Sequence, residues 1–171
     1  MQHLQHNEPL TFEKVWQMFQ ETDKKFQETD KKFQETDKKM NHLIGNWGRL
    51  LEALVAPGCL QLFKERKIKV NQMFQNARVR RAGEEMEIDV LLVNDTEAVV
   101  IETKTNAGAD EVNELLHDLA SFKEFFPQYR SYTIYGGIAS LRFKSEAEHY
   151  AAGKGLFVLK VSGEGLVQII N

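Results

Sequence analysis

The chain has 171 residues, of which 42% are hydrophobic, and a formal net charge of −3. This length and composition are typical of one globular domain with an extension. No apolar run has the length of a membrane span, the first residues lack a signal-peptide pattern, and the single cysteine, Cys59, excludes an intramolecular disulfide framework. We therefore expect a cytoplasmic protein in which Cys59 is a small buried hydrophobic side chain.

The first predicted element is a long helix built on a tandem repeat. The heptapeptide Phe-Gln-Glu-Thr-Asp-Lys-Lys occurs three times over residues 19–39, and seven residues is the period of a coiled coil. No proline falls between Thr11, a plausible N-cap, and Pro57, so we predict one helix from about residue 11 to 56. Heptad position a is occupied by Phe12, Phe19, Phe26, Phe33, Met40, Trp47 and Leu54. Position d is occupied by Val15, Thr22, Thr29, Thr36, Leu43 and Leu50.

The charges beside this apolar stripe favour self-association. Lys occupies position g and Asp position e, so that Lys25 of one chain can face Asp30 of a parallel partner. The threonines at d are poor core residues, and the pairing should be only moderately stable. The sequence therefore predicts a homo-oligomer, a dimer or a tetramer, held by a coiled-coil stalk at residues 11–43. The alternative is a lone solvated helix.

Beyond Pro57 the pattern changes to mixed strands and helices. Two apolar, β-branched runs around the turn at Asn94-Asp95 indicate a β-hairpin. Further along, apolar residues at helical spacing precede Pro127, and Ser145 begins a predicted capping box. The predicted strands are near 77–81 and at 86–93, 97–103, 132–135, 156–161 and 166–170, and the predicted helices are at 112–126 and from Ser145 to about Gly153.

The hairpin carries the residues that indicate chemistry, Asp89 and Glu102-Thr103-Lys104. Side chains alternate along a strand, so Glu102 and Lys104 should share one face while Thr103 points away. Two carboxylates suit Mg²⁺, and a nearby lysine can orient or deprotonate a water molecule. An ordinary hairpin with charges near a solvent edge is the alternative. The apolar run that precedes Glu102 favours a site, because charged groups that end a buried strand need a partner.

The charge distribution is more informative than the net charge. Seven basic residues lie between Lys64 and Arg81, whereas twelve acids lie between Gly83 and Glu124. A basic segment leading into an acidic centre suits a substrate with a phosphate backbone, although a solvated surface is the alternative. The candidate DNA contacts are Lys67, Lys69, Arg78, Arg80 and Arg81.

The order of helix, strand, hairpin with D…ExK, helix and strand resembles the PD-(D/E)XK nuclease superfamily over about residues 40–170. It looks closest to bacterial members with an N-terminal coiled coil. The resemblance implies an α/β, restriction-endonuclease-like mixed central sheet flanked by helices, here at residues 44–171 after the long coiled-coil helix. It also implies that Asp89 and Glu102 hold Mg²⁺ or Mn²⁺, that Lys104 serves the attacking water, and that Glu52 of the first helix adds a third acid.

One departure from the motif is Ile88, which stands where the superfamily's name has proline; this leaves sequence specificity open. The predicted function is a metal-dependent endonuclease that hydrolyses DNA phosphodiester bonds as a homo-oligomer, without a membrane partner. The first alternative is a catalytically silent module of the same fold that binds nucleic acid or protein. A purely structural coiled-coil protein is the second. The joint presence of Asp89, Glu102 and Lys104 favours activity.

Overall fold

The computed structural model describes residues 11–162 and 167–171. The signal-peptide expectation and Leu166, the predicted start of the last strand, lie outside these residues. The chain divides into two compact units, Met1–Ile44 and Gly45–Asn171. The elements are α1 (Phe12–Glu65), β1 (Gln72–Arg81), β2 (Glu84–Val93), β3 (Glu97–Ala107), α2 (Ala109–Phe125), β4 (Thr133–Phe143), α3 (Ala147–Gly153), β5 (Phe157–Val161) and β6 (Val167–Ile169).

Helix α1 begins where the sequence predicts and ends later. The amide of Lys14 donates to the Thr11 hydroxyl at 3.3 Å, which confirms Thr11 as the N-cap. The predicted end near residue 56 is wrong, because the helix continues through Pro57. Proline in a helix interior costs about 3 kcal/mol. Burial of the helix face around Val55 and Phe63 offsets this cost, since each fully buried large side chain contributes about 1.5–3 kcal/mol.

Among the residues that the structure describes, six strands form one mixed sheet in the order β1-β2-β3-β4-β5-β6. The first three strands are antiparallel, β3, β4 and β5 are parallel, and β6 is antiparallel to β5. One hydrophobic core lies between the sheet and helices α2 and α3, and a second lies between the sheet and the C-terminal part of α1. The predicted α/β class, with a mixed sheet flanked by helices, is confirmed.

Cys59 belongs to the second core. Its side chain is fully buried, its thiol lies 3.2 Å from the Val55 carbonyl oxygen, and burial raises the pKa of the thiol to about 12. The prediction of a small buried hydrophobic residue is confirmed. No helix within residues 11–162 and 167–171 combines the length and the apolar character that a membrane span needs.

The largest boundary differences within the sheet are at β1 and β4, and one predicted helix cap is also wrong. β1 begins at Gln72 and not near residue 77, and β4 continues through Gly136 to Phe143. A Cβ atom at Gly136 would lie 2.3 Å from Leu119 Cδ1, so the glycine lets α2 pack closely on β4. The capping box at Ser145 is wrong, because Glu146 precedes the helix in a left-handed conformation without a side-chain cap.

Candidate active site

The candidate site lies where β2 and β3 stop pairing. Their antiparallel ladder ends at the pair Val90–Ile101, and Asp89 and Glu102 are the next residues along the two strands. Beyond that point β3 stays paired with β4, whereas β2 stays paired with β1. The two strands therefore separate at the candidate acids. Backbone groups on the facing edges then need other partners.

Asp89 supplies such a partner. Its Oδ2 atom accepts hydrogen bonds from the backbone amide of Thr103 at 2.7 Å and from the Thr103 hydroxyl at 2.8 Å. The sequence analysis gave Thr103 no role in the site, whereas its buried hydroxyl holds the aspartate. Two hydrogen bonds to Oδ2 fix the orientation of the Asp89 carboxylate. The direction of its other oxygen, Oδ1, is fixed with it.

Glu102 and Lys104 share one face of β3, as the alternation predicts. The Lys104 ammonium lies 2.9 Å from Glu102 Oε1, and their side chains are 31% and 22% exposed. Glu114 of α2 lies 3.9 Å from the same ammonium. On the other strand edge, the buried Ser140 hydroxyl lies 2.7 Å from the Lys104 carbonyl oxygen, so that β4 anchors the lysine backbone.

The charges at the site perturb one another. Burial and then the charge of Asp89 raise the pKa of Glu102 to about 7, although Lys104 opposes the shift. Burial acts to lower the pKa of Lys104, but its hydrogen bond to Glu102 and the surrounding carboxylates outweigh burial and raise that pKa. Lys104 therefore keeps its proton at neutral pH. The raised pKa of Glu102 results from its burial close to a second acid, Asp89.

Glu52 of α1 is coupled to this group through the charge of Asp89. Burial and the charge of Asp89 raise its pKa, whereas a hydrogen bond from the Asn76 side chain lowers it. Asn76 interrupts β1: its φ of 51° is left-handed, and the β1–β2 ladder omits the pair Asn76–Asp89. Sequence reasoning missed Asn76. The available signal was an asparagine inside a strand, since asparagine tolerates this conformation better than most residues.

Helix α2 adds acids that the sequence analysis also missed. Burial raises the pKa of Asp118, with Glu114 adding to the rise and His117 opposing it. The charge of Asp118 in turn contributes to the raised pKa of Glu102. Glu114 and Asp118 are four residues apart, the spacing of one helix face, and α2 follows the Glu102-Thr103-Lys104 strand directly. That spacing was the signal for both.

The donor set suits a hard divalent cation. Within residues 11–162 and 167–171, no three Asp, Glu, His or Cys side chains cluster closely enough to form a metal cage of protein ligands. Mg²⁺ does not need such a cage, because it keeps several waters and takes one or two carboxylates. Repulsion from Asp89 contributes to the raised pKa of Glu102, and a cation between the two acids would relieve it.

The predicted DNA contacts divide into two groups. Lys67 and Lys69 are exposed in the segment between α1 and β1. The three arginines lie on β1 and have protein partners. Arg78 forms ion pairs with Glu85 at 3.2 Å and Glu87 at 2.6 Å, Arg80 pairs with Glu85, and the Arg81 guanidinium donates to the Glu124 carbonyl oxygen.

A protein-family match covers the region that contains these residues. The sequence model of the nuclease-related domain (NERD) matches residues 48–133, half of the chain. Three solved structures are similar. A repair endonuclease from Pyrococcus abyssi has 20% identity and a TM-score of 0.43, and the match covers 63% of this chain and 46% of that chain. For a Vibrio cholerae protein the identity is 22%, the TM-score 0.48 and the two coverages 65% and 29%, and for an EndoMS–double-stranded DNA complex the identity is 19%, the TM-score 0.38 and the two coverages 60% and 42%.

The chain thus spans less than half the length of each of these solved chains. Comparison with curated protein sequences finds no match. The matched segment includes Glu52, Asp89, Glu102 and Lys104, and it runs from the buried part of α1 to the start of β4. The chain belongs to the nuclease-related domain family, which agrees with the predicted nuclease superfamily.

Proposed function

We propose that the protein is a metal-dependent endonuclease that hydrolyses DNA phosphodiester bonds. The observation that carries the proposal is the convergence of Asp89, Glu102 and Lys104 where β2 and β3 separate, with the lysine ammonium 2.9 Å from the glutamate. An ordinary hairpin has no need for two half-buried acids and a lysine at one point. Placing these charges together costs electrostatic free energy, as is expected of a site that binds a cation and an anionic substrate.

The residues have distinct roles in this proposal. Asp89 and Glu102 would hold Mg²⁺ or Mn²⁺, with Glu52 as an outer acid. The cation, when bound, would lower the pKa of a bound water and offset charge on the phosphate. Lys104 orients the attacking water and places positive charge beside the phosphate. Its raised pKa supports this role over that of a general base, because a protonated ammonium cannot accept the water's proton.

Phosphate contacts are assigned to the basic segment before the site. Lys67 and Lys69 are exposed, and the ion pairs of Arg78 and Arg80 are with partly exposed glutamates. Surface ion pairs contribute about 0–1 kcal/mol, so phosphate can replace the glutamates at little cost. Replacing both lysines with alanine should reduce the salt dependence of duplex binding, since each lost phosphate contact releases fewer counterions. The same measurement on alanine variants of Arg78, Arg80 and Arg81 tests the arginine group.

The stalk at residues 11–43 is assigned to assembly, and residues 44–171 to the reaction. A parallel homo-oligomer, a dimer or a tetramer, would place two reaction sites at the same end of the stalk, which suits cleavage of both strands of a duplex. Support comes from the row of phenylalanines at position a, which are all more than half exposed in the single chain. A cytoplasmic location stays a prediction.

Nicking of supercoiled plasmid by the full chain tests the proposed function. We expect Mg²⁺-dependent conversion to open-circular DNA, strongly reduced in the Lys104→Ala variant. Lys154→Ala is the matched control, because Lys154 is exposed beyond α3 and far along the chain from the motif. Absence of nicking by the unmodified chain in both Mg²⁺ and Mn²⁺, with DNA binding retained, would contradict the enzyme and support the silent module.

A further inference from the structure

The catalytic unit, Gly45–Asn171, has an uncovered apolar surface on α1. Trp47, Leu50 and Leu54 are 57%, 49% and 41% exposed. The same segment of α1 buries Leu51 and Val55 against the sheet. With 100° between successive helical residues, the exposed residues are centred roughly 90° around α1 from Leu51 and Val55. They form a separate surface, which we call the outer face, and have no role in the hydrophobic core.

The outer face continues the heptad register of the stalk. Trp47 and Leu54 are at position a and Leu50 is at position d, in the same frame as Phe19 and Phe26. No heptad is skipped between the phenylalanine repeats and Leu54. A coiled-coil seam defined by these positions therefore does not end with the stalk at residue 43. It includes the first turns of α1 within the catalytic unit.

Charge complementarity favours a second copy of this chain as the occupant of the seam. Each repeat contains two acids and two lysines, arranged so that Lys at g meets Asp at e of a parallel copy. A helix that binds a membrane surface is typically basic on its polar face, whereas these repeats are neutral. The apolar stripe is also as narrow as a coiled-coil seam, with its charges directly beside it.

The threonines at position d are compatible with such a seam. The hydroxyls of Thr22, Thr29 and Thr36 lie 2.7, 2.7 and 2.8 Å from the carbonyl oxygens four residues earlier. Their hydrogen-bonding needs are therefore met within the helix, and pairing does not leave a buried hydroxyl without a partner. The layers that follow, at Leu43, Trp47, Leu50 and Leu54, are larger and more apolar. More of the pairing strength should lie at the catalytic unit than in the repeats.

We infer that the outer face, Trp47, Leu50 and Leu54, packs in parallel and in register against the same face of a second copy, so that two catalytic units dock directly on each other. This inference rests on the proposed assembly and goes beyond a tether. Glu52 is at heptad position f, on the side of α1 opposite the seam. The docked pair therefore leaves Glu52, and the acids of the sheet with it, on the side away from the interface.

Single-cysteine cross-linking of the full chain tests the inference. Residues at d of a parallel, in-register pair face each other, so a cysteine at either Thr29 or Leu50 should form an intermolecular disulfide with oxidised glutathione as oxidant. The native Cys59 is fully buried and does not compete. Lys31→Cys, at position f, is the control for random collision. We expect Thr29→Cys and Leu50→Cys to yield covalent dimers at many times the rate of Lys31→Cys.

The two d positions separate the inference from its premise. Cross-linking at Thr29→Cys without cross-linking at Leu50→Cys would overturn the docking of the catalytic units and leave the stalk assembly in place. Cross-linking at neither position would overturn both, and plasmid nicking would still report the enzyme independently.

A fluorescence measurement covers the case in which Leu50→Cys itself disturbs the outer face. Trp16 and Trp47 are the two tryptophans of the chain, so the Trp16→Phe variant reports Trp47 alone. We expect acrylamide to quench Trp47 several-fold less in the assembled protein than in the same variant made monomeric by Phe19→Asp and Phe26→Asp. Equal quenching, with assembly confirmed by sedimentation, would overturn the inference.

Discussion

The raised pKa of Glu102 predicts an unusual gain of stability on removing a charge. Burial and Asp89 raise this pKa from 4.5 to about 7. A tenfold change in proton binding is worth about 1.4 kcal/mol, so ionising Glu102 in the folded, metal-free protein costs about 3 kcal/mol. The folded state binds the proton more tightly than the unfolded state. Protonation of Glu102 therefore stabilises the folded state fully below pH 4.5, and this stabilisation is lost as the pH rises to about 7.

The Glu102→Gln variant removes this titration. Relative to the unmodified chain, we expect the variant to gain up to about 3 kcal/mol in unfolding free energy between pH 4.5 and pH 8, whatever the constant cost of losing the Lys104 hydrogen bond. Urea unfolding in EDTA at several pH values measures the difference. Glu114→Gln is the matched control, because the Glu114 side chain is 68% exposed and should show little dependence. If the difference in unfolding free energy between the variant and the unmodified chain does not change with pH, ionised Glu102 does not destabilise the folded state.

Two further changes test how the site and the core are held. Thr103→Val keeps the shape of the side chain but removes its hydrogen bond to Asp89, and we expect about 1 kcal/mol lower stability with slower plasmid nicking. Gly136→Ala should cost about 1–2 kcal/mol in urea unfolding, since the added methyl meets Leu119 and Leu156 at 2.3 and 2.6 Å. Gly48→Ala, in open space on α1, should instead stabilise by about 1 kcal/mol, and equal effects of the two glycine changes would contradict the packing argument.

The local part of the site was predictable from the sequence. Alternation along a strand places Glu102 and Lys104 together, and hairpin pairing brings Asp89 beside them, because both rules involve near neighbours. The paired basic residues were predictable by the same rule. Ala82 and Gly83 form a two-residue turn with φ of 53° and 88°, which sets Arg78 opposite Glu87.

The non-local part was not predictable in this way. Helix α1 continues through Pro57 because its buried face meets a sheet formed by residues far along the chain. Asp118 contributes to the raised pKa of Glu102 only because α2 packs on the sheet. The role of Thr103 depends on the separation of β2 from β3, since a hairpin paired along its whole length would leave its amide bonded to the backbone.

The most direct test of the central claim is calorimetric titration of the full chain with Mn²⁺. We expect Asp89 and Glu102 together to bind one divalent cation, and we expect binding to be abolished in Glu102→Ala and Asp89→Asn and retained in Glu114→Gln. Because the cation competes with the proton on Glu102, the affinity should also rise from pH 6 to pH 8. Unchanged Mn²⁺ binding in Glu102→Ala would contradict a cation site formed by Asp89 and Glu102.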